Sequence, residues 1–164
     1  IPEFNLYEEF WKIYTKTDII PPQYISAEAV VERSIIGEGS EIHGEVYNSV
    51  IGPGVVIKKG SVVRNSIIMK QSFIGENVTI DKAIIAENVT VGNNVVMGVG
   101  EDVPNKEKPR VYSFGLVTIG ENSVIPADVR IGINTAIVGE TTPEDYPDGE
   151  LASGETLNKE GETA

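Results

Sequence analysis

His43 is the only histidine in the chain, and cysteine is absent. A zinc ion held by three histidines is therefore excluded, as are thiolate metal sites, disulfides and cysteine nucleophiles. A single histidine can act as a general base, but His43 directly follows Ile42 with no neighbouring signal of a group that would orient it. No serine lies in a G-x-S-x-G elbow. The glycine pairs of "GPG" (52–54) and "GVG" (98–100) complete neither the G-x-G-x-x-G nor the P-loop spacing. Glu8 and Glu9, like Glu144 and Asp145, are adjacent in sequence and do not converge. No residue is thus assigned as catalytic, cofactor-binding or metal-binding. What remains is Lys106, Lys108 and Arg110, the only basic cluster between Arg64 and Arg130. It reads either as a solvated loop or as a contact for an anionic effector or partner.

These residues hang on a repeat. "IGENVTI" (74–80), "VGNNVVM" (91–97) and "IGENSVI" (119–125) are near copies, and self-similarity at a fixed period marks a repeat architecture. Aliphatic residues recur six apart: Ile36 and Ile42; Ile51, Ile57 and Val63; Ile74 and Ile80; Ile85, Val91 and Met97; Ile119, Ile125, Ile131 and Ile137. These are the expected inward residues. Three positions after them stand Gly39, Gly54, Gly60, Asn77, Asn88, Asn94, Asn122, Asp128 and Asn134, all residues that tolerate positive φ. The backbone is expected to turn there, between short straight runs rich in β-branched residues.

Segments 49–65, 66–82 and 83–99 align without gaps at 17 residues, and the preceding "SIIGEGSEIHGEVYN" runs two short. Three corners per 17 residues make one coil of a triangular parallel β-helix, expected over residues 27–139. Corner chemistry does not set the hand, but the hexapeptide pattern resembles left-handed parallel β-helices, an exception to the right-handed crossover rule. No coil is stable alone, since each buries its inward side chains against its neighbours; every inward Ile or Val contributes roughly 1.5–3 kcal/mol. Residues 98–116, "GVGEDVPNKEKPRVYSFGL", break the rhythm. Insertions between solenoid repeats form loops on one face.

The two ends differ from this middle. Six of the eleven aromatic residues, Phe4, Tyr7, Phe10, Trp11, Tyr14 and Tyr24, fall in the first 24 positions. Residues 1–26 are read as a connector that either caps the helix or packs on a further domain, and a start without Met favours a fragment. From Glu140 to Ala164 eight carboxylates face a single lysine, which accounts for most of the net charge of -12. That composition predicts a flexible acidic tail. No apolar run is long enough to span a membrane and the net charge of -12 argues against nucleic acid, so neither partner is expected, and the chain reads as intracellular. Outward positions carrying Tyr47, Val56, Phe73, Val62 and Val96 predict a subunit interface.

Known hexapeptide β-helices include acyltransferases, the competing reading for this chain. The order of its parts is more specific. "NLYEEFWKIYT", "IIPPQYI" and the coils "SVIGPGVVI", "SIIMKQSFIGENVTI" and "AIIAENVTVG" together resemble the C-terminal domain of bacterial glucose-1-phosphate adenylyltransferase. The resemblance covers residues 1–139. It implies a cytoplasmic enzyme of glycogen synthesis that joins ATP and glucose 1-phosphate into ADP-glucose and pyrophosphate. Its Mg²⁺ and ATP would bind a nucleotidyltransferase domain preceding this segment. The β-helix itself would hold a homotetramer together and communicate with allosteric sites, without being catalytic. The acidic tail and a middle poor in basic residues lead to an expectation of weak or altered control by sugar phosphates.

Overall fold

A computed structural model of the chain describes Phe10 and residues 19–159. Phe4, Tyr7, Trp11 and Tyr14 of the expected connector lie outside the described residues. The described part is almost entirely short parallel strands, arranged as three sheets that form the faces of a prism. Face one stacks Tyr24–Ile25, Glu41–Ile42, Val56–Ile57, Phe73–Ile74, Thr90–Val91 and Val124–Ile125. Face two stacks Val30–Glu32, Glu45–Tyr47, Val62–Arg64, Thr79–Asp81, Val96–Met97, Arg130–Ile131 and Glu150–Leu151. Face three stacks Ile35–Ile36, Val50–Ile51, Ile67–Ile68, Ala83–Ile85, Val117–Ile119, Thr135–Val138 and Thr156–Asn158. The all-β parallel β-helix expected from the hexapeptides is thus borne out.

The expected inward ladder is present. Ile57, Ile74 and Val91 are in register in successive coils and completely buried. β-Branched side chains stacked at strand spacing fill the prism because each offers a stiff, matching surface to the next. Buried serines line the corners: the Ser61 hydroxyl donates to Gly75 O at 2.6 Å and accepts from Val78 N at 2.9 Å. Ser72 does the same with Ala86 O and Val89 N one coil later. Each hydroxyl satisfies a backbone donor and acceptor that the corner would otherwise leave unpaired.

All nine expected corner residues have positive φ, between +55° and +78°. The corner between faces two and three is expected from the sequence only at Asn134. In the first coils it carries Arg33, Asn48, Asn65 and Lys82, at φ +46° to +51°, and two of these four are types rarely found there. Asparagine amides tie the corners together: Asn48 donates to Asn65 at 2.9 Å, and Asn65 donates to Asp81 at 2.8 Å. The two residues missing from the short coil come out of the corner after Ile42, where only His43 and Gly44 precede Glu45. Gly44 runs so close to the next coil that an added Cβ would lie 2.4 Å from Ser61 O.

The expected flexible tail is corrected by the structure. The helix runs from Tyr24 to Asn158, because Glu150–Leu151 pairs in register with Arg130–Ile131 and Thr156–Asn158 pairs with Ala136–Val138. Leu151 and Leu157 are six apart and pack against the core, so the hexapeptide period resumes inside the acidic segment. A single 3-10 turn at Pro143–Asp145 leads into Tyr146, which is buried in the core cluster. Its hydroxyl meets Thr141 Oγ1 at 2.9 Å, and burial pushes its pKa up to about 12. Charge was a misleading signal because, among the described residues, Glu140, Glu144, Asp148 and Glu150 are exposed while the largely buried Asp145 is paired with Lys159.

Candidate functional site

His43 sits at the shortened corner, partly exposed, with Nε2 3.7 Å from a Glu41 carboxylate oxygen. Its ring lies 5.6 Å from that of Tyr24. Among the described residues no three of His, Asp and Glu converge in a way that could hold a metal ion.

The inserted loop departs after Met97 on face two and returns at Val117 on face three, which pairs directly with Ala83. It therefore interrupts no ladder. Its first half is pinned down through Asn105, a residue only 2% exposed. The Asn105 amide donates to Asn134 O and Thr156 Oγ1 at 3.0 Å each, and to Glu155 O at 3.3 Å. Its carbonyl oxygen accepts from the backbone of Glu107 and Lys108. Asn134, 3% exposed, answers from the coil by donating to Asp102 and to Val103 O, and by accepting from Gly115 N. The loop and the last coil are thus one hydrogen-bonded unit.

Of the three basic residues, Lys106 forms an ion pair with Glu155, which makes it part of this clamp. Lys108 and Arg110 are exposed further along. The loop tip presents Val111 and Phe114, the latter 92% exposed and at φ +62°. A bulky side chain is a true outlier in that conformation.

The outward residues fall in three vertical columns. Face one presents Tyr24, Glu41, Val56, Phe73, Thr90 and Val124, and Lys58 lies 5.8 Å over the Phe73 ring. Face two presents Val30, Glu45, Val62, Thr79, Val96, Arg130 and Glu150. Tyr47 stands at the edge of that face, its ring 5.0 Å from the Arg64 guanidinium. Its hydroxyl donates to Glu45 at 2.9 Å, and that bond raises its pKa above the ordinary phenol value. The structure accordingly places Val56 and Phe73 side by side on face one and Tyr47, Val62 and Val96 on face two, with Thr79 between Val62 and Val96.

Face three is different. Ile35, Val50, Ile67 and Ile84 follow one another in register without a polar interruption. Ile35 is 45% exposed, and Val50 and Ile67 are each 42% exposed. Lower on the same face the column continues through Thr118, Ala136 and Thr156; there Asn105 of the loop reaches over to Thr156, and Ala136 is fully buried. Four aliphatic side chains therefore line up on the outside of this face. Its signal was in the sequence as the doublets of Ser34-Ile35-Ile36, Ser49-Val50-Ile51, Ser66-Ile67-Ile68 and Ala83-Ile84-Ile85. Two consecutive strand residues point to opposite faces, so one of each pair must look outward.

Comparison with known proteins agrees with this architecture. The family model described as GlmU-like, C-terminal hexapeptide, matches residues 22–119. The chain is 62% identical over 162 residues to a glucose-1-phosphate adenylyltransferase of Lachnospira eligens, covering 99% of this chain and 38% of the relative. The enzyme of the same description from Acetivibrio thermocellus is 44% identical over 163 residues, and that from Thermotoga maritima 52% over 155. The chain spans less than two fifths of these relatives' length. Among solved structures, the acetyltransferase domain of PglB from Neisseria gonorrhoeae superposes with a TM-score of 0.50 at 22% identity, over 80% of this chain and 55% of that one. That likeness shows the fold alone.

Proposed function

Because the chain belongs to the GlmU-like C-terminal hexapeptide family, we propose that it is the C-terminal β-helix of a glucose-1-phosphate adenylyltransferase and serves assembly rather than catalysis. The observation that carries this reading is 62% identity along 99% of the chain to such an enzyme. ATP and glucose 1-phosphate would react in the remainder of that polypeptide, with Mg²⁺ bound there. Phosphoryl transfer depends on donors and metal ions placed around the phosphates. Among the described residues the side chains meet one another in ladders and a clamp, which suits a rigid spacer with patterned outer faces. A homo-oligomer, a tetramer in the whole enzyme, is part of the proposal, as is a cytoplasmic location. For effectors, Lys108 and Arg110 are the loop cations best placed to meet an anion, since Glu155 already neutralises Lys106.

The test is a chimera. The matching C-terminal segment of the Lachnospira eligens relative is replaced by this chain, and ADP-glucose formation from ATP and glucose 1-phosphate is measured. The expected result is activity close to that of the relative, and a correctly folded chimera that is inactive overturns the reading. Titrating a sugar bisphosphate into the same chimera, with and without neutral substitutions at Lys108 and Arg110, reports on the effector role.

A further inference from the structure

We propose that Asp148 is a site of spontaneous isoaspartate formation, and that its conversion releases the last coil of the prism. This goes beyond the assembly role proposed above and does not rest on it.

Asp148–Gly149 is the one Asp–Gly pair in the chain, and no Asn–Gly pair occurs. In such a pair the main-chain nitrogen of the glycine attacks the side-chain carboxyl carbon of the aspartate. The carboxyl hydroxyl and the proton of that nitrogen leave together as water, and a five-membered imide closes. A second water then opens the ring. Attack on the side-chain carbonyl restores aspartate, whereas attack on the main-chain carbonyl leaves the chain running through the aspartyl β-carbon. No reactant other than water is needed, and the mass ends unchanged. Glycine favours closure because it is free in φ and has no side chain to hinder its nitrogen.

The surroundings leave this pair open to the reaction and restrain it at the same time. Asp148 is exposed, and a Cβ placed on Gly149 would meet nothing within 4 Å. Gly149, at φ +65°, donates its N–H to Tyr146 O at 3.1 Å and accepts from Arg130 N at 2.9 Å. Both peptide planes around the reacting nitrogen are therefore fixed while the coil is closed. Imide closure needs them to turn, so conversion proceeds from the opened coil. The three Asn–Ser pairs, which could form the same ring, sit inside the stack. Ser49, Ser66 and Ser123 are buried, and Ser49 N and Ser66 N each donate to a serine hydroxyl of the preceding coil at 3.1 Å.

The position of Asp148 gives the product a consequence. Isoaspartate lengthens the main chain by one carbon, about 1.5 Å. On one side Tyr146 is anchored, buried in the core with its hydroxyl 2.9 Å from Thr141 Oγ1. On the other, Glu150–Leu151 pairs in register with Arg130–Ile131. The bonds Gly149 N–Tyr146 O and Arg130 N–Gly149 O lie at the lengthened link, and the added carbon displaces both. Among the described residues Glu150–Leu151 ends its sheet and has a neighbouring strand on one side alone, so no further strand holds it in place.

The test follows isoaspartate in the purified chain kept at neutral pH and physiological temperature. A protein-isoaspartate methyltransferase with a labelled methyl donor reports its amount, and fragmentation mass spectrometry locates the lengthened residue. Label is expected at Asp148, and Asp148→Glu, whose imide would be a six-membered ring, is expected to abolish it. A synthetic peptide of residues 143–153 should convert about tenfold or more faster than the folded chain. Asn105→Ala, which removes the loop's hydrogen bonds to Glu155 and Thr156, should bring the chain toward the peptide's rate. Where circular dichroism shows that variant unfolded, Lys159→Ala takes its place by breaking the 2.9 Å ion pair with Asp145. Hydrogen exchange on the converted fraction should show protection lost in 150–158 and kept between Phe73 and Met97. The proposal is overturned by a folded chain that converts as fast as the peptide, or by an opened variant that converts no faster than the parent chain. Isoaspartate that forms elsewhere and not at Asp148 overturns it as well, as does a converted chain whose residues 150–158 stay fully protected.

Discussion

Replacing Asn105 by alanine tests whether the loop and the last coil are one unit. The change removes an amide that donates to Asn134 O, Thr156 Oγ1 and Glu155 O, and an oxygen that accepts from Glu107 N and Lys108 N. The residue is 2% exposed, so water does not replace these partners without opening the loop. A typical net hydrogen bond is worth about 1 kcal/mol and an unsatisfied buried group costs about 1–3, so the loss should total about 2–4 kcal/mol. In a stack of coils that contact only their neighbours, this cost falls on the nearest coil rather than on the whole molecule. Amide hydrogen exchange resolved by residue is the assay. Protection in 150–158 should fall by about 30- to 1,000-fold, the kinetic equivalent of that energy, while the strands between Phe73 and Met97 keep theirs. A change of less than about twofold in 150–158 would show that the strand pairing holds the last coil unaided. A uniform loss along the chain would equally refute the reasoning, because the coils would then not open separately.

Three further outcomes are expected. Ile74→Ala, which removes three carbons from a completely buried site between Ile57 and Val91, should cost about 2–5 kcal/mol in urea unfolding followed by circular dichroism; a loss under about 0.5 kcal/mol would place Ile74 outside the core. Gly98→Ala should lower stability by more than about 1–2 kcal/mol, since the residue has φ +83° and the new Cβ would lie 2.0 Å from Asp81 O, a backbone atom that cannot swing aside; an unchanged denaturation midpoint would refute it. The Asp145 carboxyl is held below its ordinary value by the Lys159 ammonium 2.9 Å away and by the Thr142 backbone N–H. Its contribution is therefore present above the ordinary aspartate range and lost as pH falls through the lowered pKa. NMR titration should show that Lys159→Ala raises the Asp145 pKa and moves fraying of the last coil to higher pH; an unshifted titration would mean that the ion pair does not form in solution.

Sequence alone determined the prism. A residue able to adopt positive φ every sixth position and an aliphatic residue three before it set both the corners and the inside, because those are local conformational demands that each hexapeptide meets for itself. The 17-residue repeat fixed which side chains stack, and Ile57, Ile74 and Val91 stand where that repeat put them. Other features depended on contacts between distant segments. Tyr146, Leu151 and Leu157 close the helix from within a segment whose charge argued for disorder; only the strands of Ile131 and Ile137, already in place, give them something to pair with. Arg33 and Lys82 hold corner conformations that their own propensities disfavour, imposed by the coils they stack on, one for Arg33 at the end of the prism and one on either side for Lys82. Asn105 is unremarkable in sequence and becomes a clamp only when Asn134 and Thr156 arrive beside it, some 29 and 51 residues later. The outward row of face three lies between these cases. Each aliphatic doublet was visible, but that four of them align into one uninterrupted row is a consequence of register, and register exists only once the coils have stacked.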